Sequence, residues 1–241
     1  MSGFFITGTD TDCGKTTISL GLMAALQRRG LRVLGMKPVA TGATCWSEVD
    51  LAITSWAALS KKFGVKTLKF NSDALQLLAQ GSTLEPYEFI NPYLFVPPIA
   101  PHLAAAQINV TIDANTIITA YNNLATRADR IIVEGVGGWR VPLAPNFFLS
   151  DLAVMLQLPV IVIIGLKLGC INHALLTIES IRASGAPLYG WIANQVDPHL
   201  RERDGILATL TELMTAPCLG VVPWLDAATP QQIAEYLRIE R

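Results

Sequence analysis

The chain has 241 residues, of which 18 are basic and 19 are acidic, and no block of like charge stands out. This balance excludes a protein that captures nucleic acid or anionic lipid by charge, so small-molecule partners are expected. The most apolar stretch, residues 152–166, is shorter than the ~20 residues that cross a bilayer, and Pro159 divides it into a helix-like and a strand-like half. The four cysteines form no CxxC pair, which favours a reducing, cytoplasmic location without a zinc or disulfide framework.

Six short apolar runs predict buried strands, at residues 4–7, 32–36, 130–134, 160–165, 189–194 and 219–223. Their lack of polar alternation is typical of strands that are covered on both faces. Segments with helical spacing lie between them, such as 18–26 and 117–125, and a further helical patch at 51–64 is expected to be a surface excursion. We therefore expect one α/β domain over residues 1–241, with a mostly parallel, doubly wound sheet and helices on both faces.

The first predicted strand runs directly into "GTDTDCGKTT", residues 8–17. Gly14, Lys15 and Thr16 match the end of a phosphate-binding loop, although five residues separate Gly8 from Gly14 where the standard pattern has four. The residues after Thr16 have helical spacing, so the setting is strand, loop and helix. Backbone N–H groups at such a helix start can cradle phosphate, Lys15 adds a charge, and the Thr16 hydroxyl can ligate Mg²⁺. The sequence therefore predicts a phosphate-loop NTPase-like nucleotide site.

Two further motifs follow predicted strands, and ligands in parallel α/β sheets bind at that edge. "MKPVATG" places Lys37 just after the second strand, where its charge can point toward phosphates. "VEGVGGW" places Glu134 at the end of the third strand, next to glycines that let the backbone approach a ligand. A carboxylate at that position can hold Mg²⁺ directly or through water.

These motifs, together with "NSDA", "NPYLF", "APHLAA" and "KLGCINH", occur in the order and nearly the spelling of the dethiobiotin synthetases, which the chain resembles from Gly8 to about Leu225. The resemblance implies ATP-dependent closure of a cyclic urea. In that reaction 7,8-diaminopelargonic acid takes up CO₂ as a carbamate, ATP converts the carbamate to a carbamic–phosphoric anhydride, and the second amine displaces phosphate. The products are dethiobiotin, ADP and phosphate.

The resemblance also implies roles for individual residues. Mg²⁺ would be held by Thr16, Asp73 and Glu134, and the residues implied to be catalytic are Lys15, Lys37 and Thr11. The ATP-binding residues implied are Asp12, Cys13, Gly14, Lys15, Thr16, Thr17, Asp73, Glu134, Gly135, Val136, Gly137, Asn194, Gln195, Pro223, Trp224 and Leu225. The substrate-binding residues implied are Thr11, Lys37, Thr41, Gly137, Cys170, Ile171 and Asn172.

In the resembling family, the segment equivalent to 170–172 of one subunit receives the tail of the substrate bound to the other. The resemblance thus implies a homodimer with shared sites. Two departures from the family pattern stand out. The excursion between Gly42 and Asn71 is long, which makes the position of Asp73 uncertain from sequence, and no clear acidic counterpart for a ribose contact follows Leu225.

Two other classes remain open at the level of sequence. Partition ATPases with deviant phosphate loops usually carry a second lysine near the loop start, where this chain has Thr9 and Asp10. Amidotransferase-type synthetases acting on corrinoid carboxylates need a glutamine-hydrolysing domain with a nucleophilic cysteine. No histidine is placed convincingly in the sequence to activate Cys13 or Cys170.

Overall fold

The computed structural model describes residues 3–47 and 67–239. The predicted helical patch at 51–64 lies outside these residues. The prediction of a single domain over residues 1–241 also extends beyond them, and it stays a prediction.

A six-stranded sheet forms the centre of the described structure, in the order β12–β11–β10–β1–β7–β2, and all neighbouring strands are parallel. These are the six apolar runs predicted from the sequence. Three smaller pairings lie outside this sheet: β3 with β6 is parallel, and β4 with β5 and β8 with β9 are antiparallel. The strands are β1 (Gly3–Gly8), β2 (Val33–Met36), β3 (Val39–Ala40), β4 (Thr44–Ser47), β5 (Thr67–Phe70), β6 (Tyr93–Leu94), β7 (Arg130–Glu134), β8 (Pro142–Ala144), β9 (Phe147–Phe148), β10 (Val160–Leu166), β11 (Leu188–Gln195) and β12 (Cys218–Val222).

Helices cover both faces of this sheet, as predicted. Side chains of α1, α9 and Leu77 belong to the hydrophobic cluster on one face, and those of α5, α6, α7 and α8 belong to the cluster on the other. The described helices are α1 (Lys15–Gln27), α2 (Ser72–Gln80), α3 (Tyr87–Ile90), α4 (Pro101–Gln107), α5 (Ala114–Ala125), α6 (Leu149–Met155), α7 (Cys170–Ala183), α8 (Arg203–Leu213) and α9 (Pro230–Ala234).

Strand β10 shows why the apolar runs lack polar alternation. Val160, Val162 and Ile164 pack into one cluster, whereas Ile161 and Ile163 pack into the other, and all five are fully buried. Since side chains alternate across a strand, both sets must be apolar. Burying one such side chain stabilises the fold by about 1.5–3 kcal/mol relative to leaving it exposed.

Pro159 separates α6 from β10, so the most apolar stretch is a short helix followed by a central strand. In the described part of the chain, no helix has both the length and the apolar character needed to cross a membrane.

Strand order brings three of the predicted motifs to one edge. Strand β7 lies between β1 and β2, with Glu134 opposite Ile6 and Val133 opposite Met36. Because these strands are parallel, the phosphate-loop motif after β1, Lys37 after β2 and Glu134 at the end of β7 lie side by side.

Candidate active site

The loop between β1 and α1 has the backbone of an anion-binding turn. Gly14 precedes the helix with a φ of 85°, and a Cβ at this position would lie 2.0 Å from Nδ2 of Asn194. Asn194 also donates a hydrogen bond to the Cys13 carbonyl oxygen, at 3.1 Å, which fixes the loop from behind. No side chain caps the start of α1. The N–H groups of its first turn can therefore bind an anionic ligand.

Lys15 is buried beside this loop, and its ammonium donates to the Asp10 carbonyl oxygen at 2.8 Å. The carboxylate of Asp10 forms an ion pair with Lys167. Burial raises the pKa of the Cys13 thiol, an effect that the charge of Lys15 opposes without reversing it. Cys13 is thus a neutral thiol near pH 7 and not an activated nucleophile, which argues against an amidotransferase role for this residue.

A charge cluster lies beside the loop, in which Lys37 and Glu134 are buried and Asp73 is partly exposed. The ammonium of Lys37 is 2.5 Å from Oε1 of Glu134 and 2.8 Å from Oδ2 of Asp73. The Thr16 hydroxyl donates to the same Glu134 oxygen at 2.8 Å. Burial of Lys37 disfavours its charged form, but the carboxylates of Glu134 and Asp73 outweigh burial and raise the pKa of Lys37 above its ordinary value. Lys37 is therefore a charged ammonium throughout the neutral range.

Asp73 reaches this cluster because α2 begins next to it. The side chain of Asn71 caps α2 by accepting hydrogen bonds from the backbone N–H groups of Asp73 and Ala74, at 3.1 and 3.2 Å. The backbone N–H of Asn71 donates to the Tyr87 hydroxyl oxygen, and burial raises the pKa of Tyr87 to about 12, so this phenol is neutral. The long excursion before Asn71 therefore does not move Asp73 away from Lys37.

Thr16, Asp73 and Glu134 supply a hydroxyl and two carboxylates, which are oxygen ligands of the kind that Mg²⁺ prefers. Oε2 of Glu134 is buried and has no hydrogen-bond partner among the described residues. The described residues contain no group of three or more His, Cys, Asp or Glu side chains placed to hold a metal. The donor set thus fits a divalent cation whose remaining ligands are water and phosphate oxygens, as is usual for Mg²⁺.

The loop and the charge cluster enclose one cavity of about 500 Å³. Its lining contains most of the predicted phosphate, metal and diamine contacts and two residues that were not predicted, Asn71 and Gln76. "NSDA" carries the helix-cap signal of Asn71, and Gln76 lies three residues beyond Asp73 on the same side of α2. The lining residues are Thr11, Asp12, Gly14, Lys15, Thr16, Thr17, Lys37, Thr41, Asn71, Asp73, Gln76, Glu134, Val136 and Gly137.

The remaining predicted site residues do not line this cavity. Cys13 and Gly135 lie in the two motifs but contribute no cavity wall. Asn194 contacts the back of the loop, and Trp224 is about half exposed, at 49%. Cys170 is buried at the start of α7, where Gly169 precedes it with a φ of 89°. The roles of these residues, and of Gln195, Pro223, Leu225, Ile171 and Asn172, stay predictions.

A parallel sheet with this loop at the end of its first described strand and acidic residues beside it defines a phosphate-loop nucleotide-binding protein. The septum site-determining protein MinD of Pyrococcus horikoshii shares the fold, with a TM-score of 0.53 and 17% identity over 98% of this chain and 86% of that one. A ParA family ATPase of Chlorobium tepidum has a TM-score of 0.50 and 15% identity, covering 98% and 91%. At such low identity the likeness shows the fold alone.

Sequence relatives identify the family. A family model described as an AAA domain matches residues 2–232. The ATP-dependent dethiobiotin synthetase BioD of Pseudomonas aeruginosa is 47% identical over 98% of this chain and 96% of its own length. The protein of the same name from Chromohalobacter salexigens is 46% identical over 99% and 98%. The chain belongs to the ATP-dependent dethiobiotin synthetase family, which confirms the resemblance read from the motifs.

Proposed function

We propose that this protein is an ATP-dependent ligase of biotin biosynthesis, which closes 7,8-diaminopelargonic acid and CO₂ into dethiobiotin while ATP becomes ADP and phosphate. Family membership supports the reaction. The single structural observation that carries the proposal is the placement of two buried lysines, Lys15 and Lys37, on one cavity with Glu134. Such a cavity is suited to reactants that become more anionic as they react.

The phosphates of ATP would lie at the start of α1, where the backbone N–H groups of the first turn and the ammonium of Lys15 would bind them. Mg²⁺ would be held by Thr16, Asp73 and Glu134, and when bound it neutralises phosphate charge and orients the oxygens for transfer. Lys37 contacts both carboxylates, so it would lie close to the phosphate and carbamate oxygens that the metal orients.

The chemistry has three steps. A neutral amine of the substrate attacks CO₂, and the carbamate forms with loss of one proton. A carbamate oxygen then attacks the γ-phosphorus, and ADP leaves. The second amine, also neutral, attacks the carbamate carbon and loses one proton, the bond from that carbon to the phosphate oxygen breaks, and phosphate leaves as the cyclic urea closes.

The protein's part in these steps is positioning and charge stabilisation. Lys15 and Lys37 would stabilise the carbamate and the transferring phosphoryl group, and the hydroxyls of Thr11 and Thr41 would orient the diamine or its carbamate. All four residues line the cavity.

The outer parts of the substrates would use residues beyond the cavity. We place the adenine near Asn194, Gln195 and residues 223–225, and the substrate carboxylate at 170–172 of a second subunit. The uncapped start of α7 is consistent with a carboxylate contact. The protein would therefore act as a homodimer in the cytoplasm.

The proposal is tested by phosphate release from ATP in the presence of Mg²⁺, with and without diaminopelargonate and bicarbonate. We expect turnover only when the diamine is present. Lys37→Ala should lower this turnover by roughly 10²–10³-fold, whereas Lys69→Ala, which removes an exposed lysine outside the cavity, should leave it unchanged. Turnover that ignores the diamine would instead favour a nucleotide-driven switch of the partition-ATPase kind.

A further inference from the structure

Asp10 and Lys167 connect the ends of two neighbouring strands. Asp10 lies two residues after β1, in the phosphate loop (residues 9–14), and Lys167 directly follows β10, the parallel neighbour of β1. The carboxylate of Asp10 forms an ion pair with the ammonium of Lys167. Neither residue lines the cavity, although Thr11 and Asp12 of the same loop do. The ion pair therefore lies outside the space in which the reactants would bind.

The phosphate loop carries two carboxylates, Asp10 and Asp12, although its proposed ligand is the anionic phosphate chain of ATP. Like charges repel, and the repulsion is stronger where protein shields the charges from water. Asp12 is exposed, so solvent screens its charge. The Asp10 side chain is only 24% exposed, and its Oδ1 is buried without a hydrogen-bond partner among the described residues. The Asp10 carboxylate therefore needs a cation beside it if the loop is to receive phosphates.

Lys167 supplies that cation. The ammonium of Lys15 donates to the main-chain carbonyl oxygen of Asp10 and not to its carboxylate. In the described part of the chain, Lys167 is the only basic residue that forms an ion pair with Asp10. The hydrogen bond to Asp10 raises the pKa of Lys167 above its ordinary value, so this ammonium is charged throughout the neutral range.

The backbone of the phosphate loop is held against β10 by other contacts. The N–H of Thr9 donates to the Ile163 carbonyl oxygen at 3.0 Å, and a Cβ added at Gly165 would lie 3.0 Å from Cα of Cys13. Ile163, Gly165 and Lys167 are spaced by two, as residues on one face of a strand are. Because the backbone contacts fix the loop without the ion pair, the contribution of the ion pair is its charge.

We propose that Lys167 is a positioning residue for nucleotide binding, which neutralises Asp10 so that this carboxylate does not repel the phosphates of ATP. Lys167 acts through Asp10 and does not itself contact the phosphates. This inference rests on the proposed function in one respect, that the phosphate loop binds the phosphates of the nucleotide. It does not depend on the diamine or on the ligase reaction.

The test measures the binding of Mg-ATP by titration calorimetry without diamine, with circular dichroism to verify the fold of each variant. Lys167→Met removes the cation and leaves Asp10 unpaired. We expect about fivefold weaker binding, which corresponds to about 1 kcal/mol for a partly exposed charge pair. Lys167→Arg keeps the cation and should bind as the unaltered protein does. The matched control Lys69→Met, which removes an exposed lysine outside the cavity, should also keep full affinity.

A double variant separates the charge of Lys167 from its packing. Asp10→Asn combined with Lys167→Met has the same summed charge as the unaltered pair, so it should recover most of the affinity that Lys167→Met loses. Asp10→Asn alone should bind Mg-ATP at least as tightly as the unaltered protein, because it removes a negative charge and keeps Lys167.

Two further measurements identify the loss as repulsion of phosphate. The loss in Lys167→Met should shrink at high ionic strength, since salt screens partly exposed charges. Inorganic triphosphate should lose affinity by the same factor as ATP, because the repulsion acts on the phosphates and not on the nucleoside.

The outcomes separate this inference from the proposed function. Unchanged affinity in Lys167→Met would overturn the role of Lys167, and so would a double variant that binds as weakly as Lys167→Met or a loss that salt does not reduce. If Lys167→Met does not fold, weaker binding by Asp10→Asn alone would overturn it. The expected pattern without any diamine-dependent turnover would leave the role of Lys167 standing and reject the ligase reaction. If neither ATP nor triphosphate binds, both proposals are rejected.

Discussion

The ammonium of Lys37 lies 2.5 Å from a carboxylate oxygen of Glu134, although 97 positions separate them in the chain. The contact exists because β2 and β7 are parallel neighbours whose carboxyl ends meet at one edge of the sheet. Glu134 is fully buried, and a buried carboxylate is stable in its charged form only with a cation beside it. In this structure that cation is Lys37.

Lys37→Ala should therefore affect both turnover and stability. Loss of one preorganised charge in the cavity should lower kcat by roughly 10²–10³-fold. The unpaired carboxylate of Glu134 should destabilise the fold, with about 3–5 kcal/mol as the upper bound for breaking a fully buried pair. Because Mg²⁺ can replace the lost charge, the melting temperature of the variant should rise on addition of Mg²⁺ more than that of the unaltered protein. If the variant keeps more than half of the activity, the catalytic role of Lys37 is wrong.

Glu134→Gln and Asp73→Asn test the metal ligands while preserving side-chain shape. Each removes one negative charge from the oxygen set, so the Mg²⁺ concentration for half-maximal activity should rise in both variants. The measurement is phosphate release over a Mg²⁺ titration, with circular dichroism to verify the fold. Full activity of Asp73→Asn at all Mg²⁺ concentrations would mean that Asp73 pairs with Lys37 but does not hold the metal.

Much of this site could be predicted from the sequence because its key residues follow apolar strands directly. The motifs around Lys15 and Glu134 are recognised from a few neighbouring residues. Their proximity then follows from the rule that ligands bind where parallel strands end, at one edge of the sheet. The position of Asp73 could not be predicted, since it depends on the start of α2 beyond a long excursion. The sequence did not predict that Gln76 lines the cavity, because that position depends on the packing of α2 against α1.

The order of the strands in the sheet also could not be predicted from the sequence. The apolar runs identify six strands, but nothing in them shows that β7 inserts between β1 and β2. The contact of Asn194 with the Cys13 carbonyl oxygen is equally a product of tertiary packing. A prediction from motifs assigns Asn194 to the adenine, whereas the structure reveals its support of the loop backbone as well.

Gly14→Ala should destabilise the protein more than the same substitution at another glycine with a positive φ. Gly14 has a φ of 85°, and its added Cβ would lie 2.0 Å from Nδ2 of Asn194. Gly30 is a matched control, since its φ is 79° and open space surrounds it. Gly30→Ala should lose about 1–2 kcal/mol of stability from its backbone conformation alone. Gly14→Ala should lose more and should also bind ATP weakly, as urea unfolding and nucleotide titration can establish. Equal losses in the two variants would refute the steric argument.

Mixed dimers test whether two subunits share each active site. Lys15→Ala removes the charge that is proposed to bind the phosphates of ATP. Asn172→Asp places a negative charge where the substrate carboxylate is proposed to bind. Each variant alone should be inactive, but mixing should restore about one working site in every mixed dimer, and subunit exchange can be followed by labelling. No recovery despite demonstrated exchange, or an active species that sediments as a monomer, would place the whole site within one chain.

In the proposed function, this cavity couples the cleavage of ATP to the closure of a urea. The most direct measurement follows ¹³C-bicarbonate into product by mass spectrometry, in the presence of ATP, Mg²⁺ and diaminopelargonate, while ADP and phosphate are counted. We expect dethiobiotin with one labelled carbonyl carbon for each ADP and each phosphate formed, and labelled product that forms roughly 10²–10³-fold more slowly when Lys37→Ala replaces the unaltered protein. Release of ADP and phosphate by the unaltered protein without labelled dethiobiotin would contradict the proposed function.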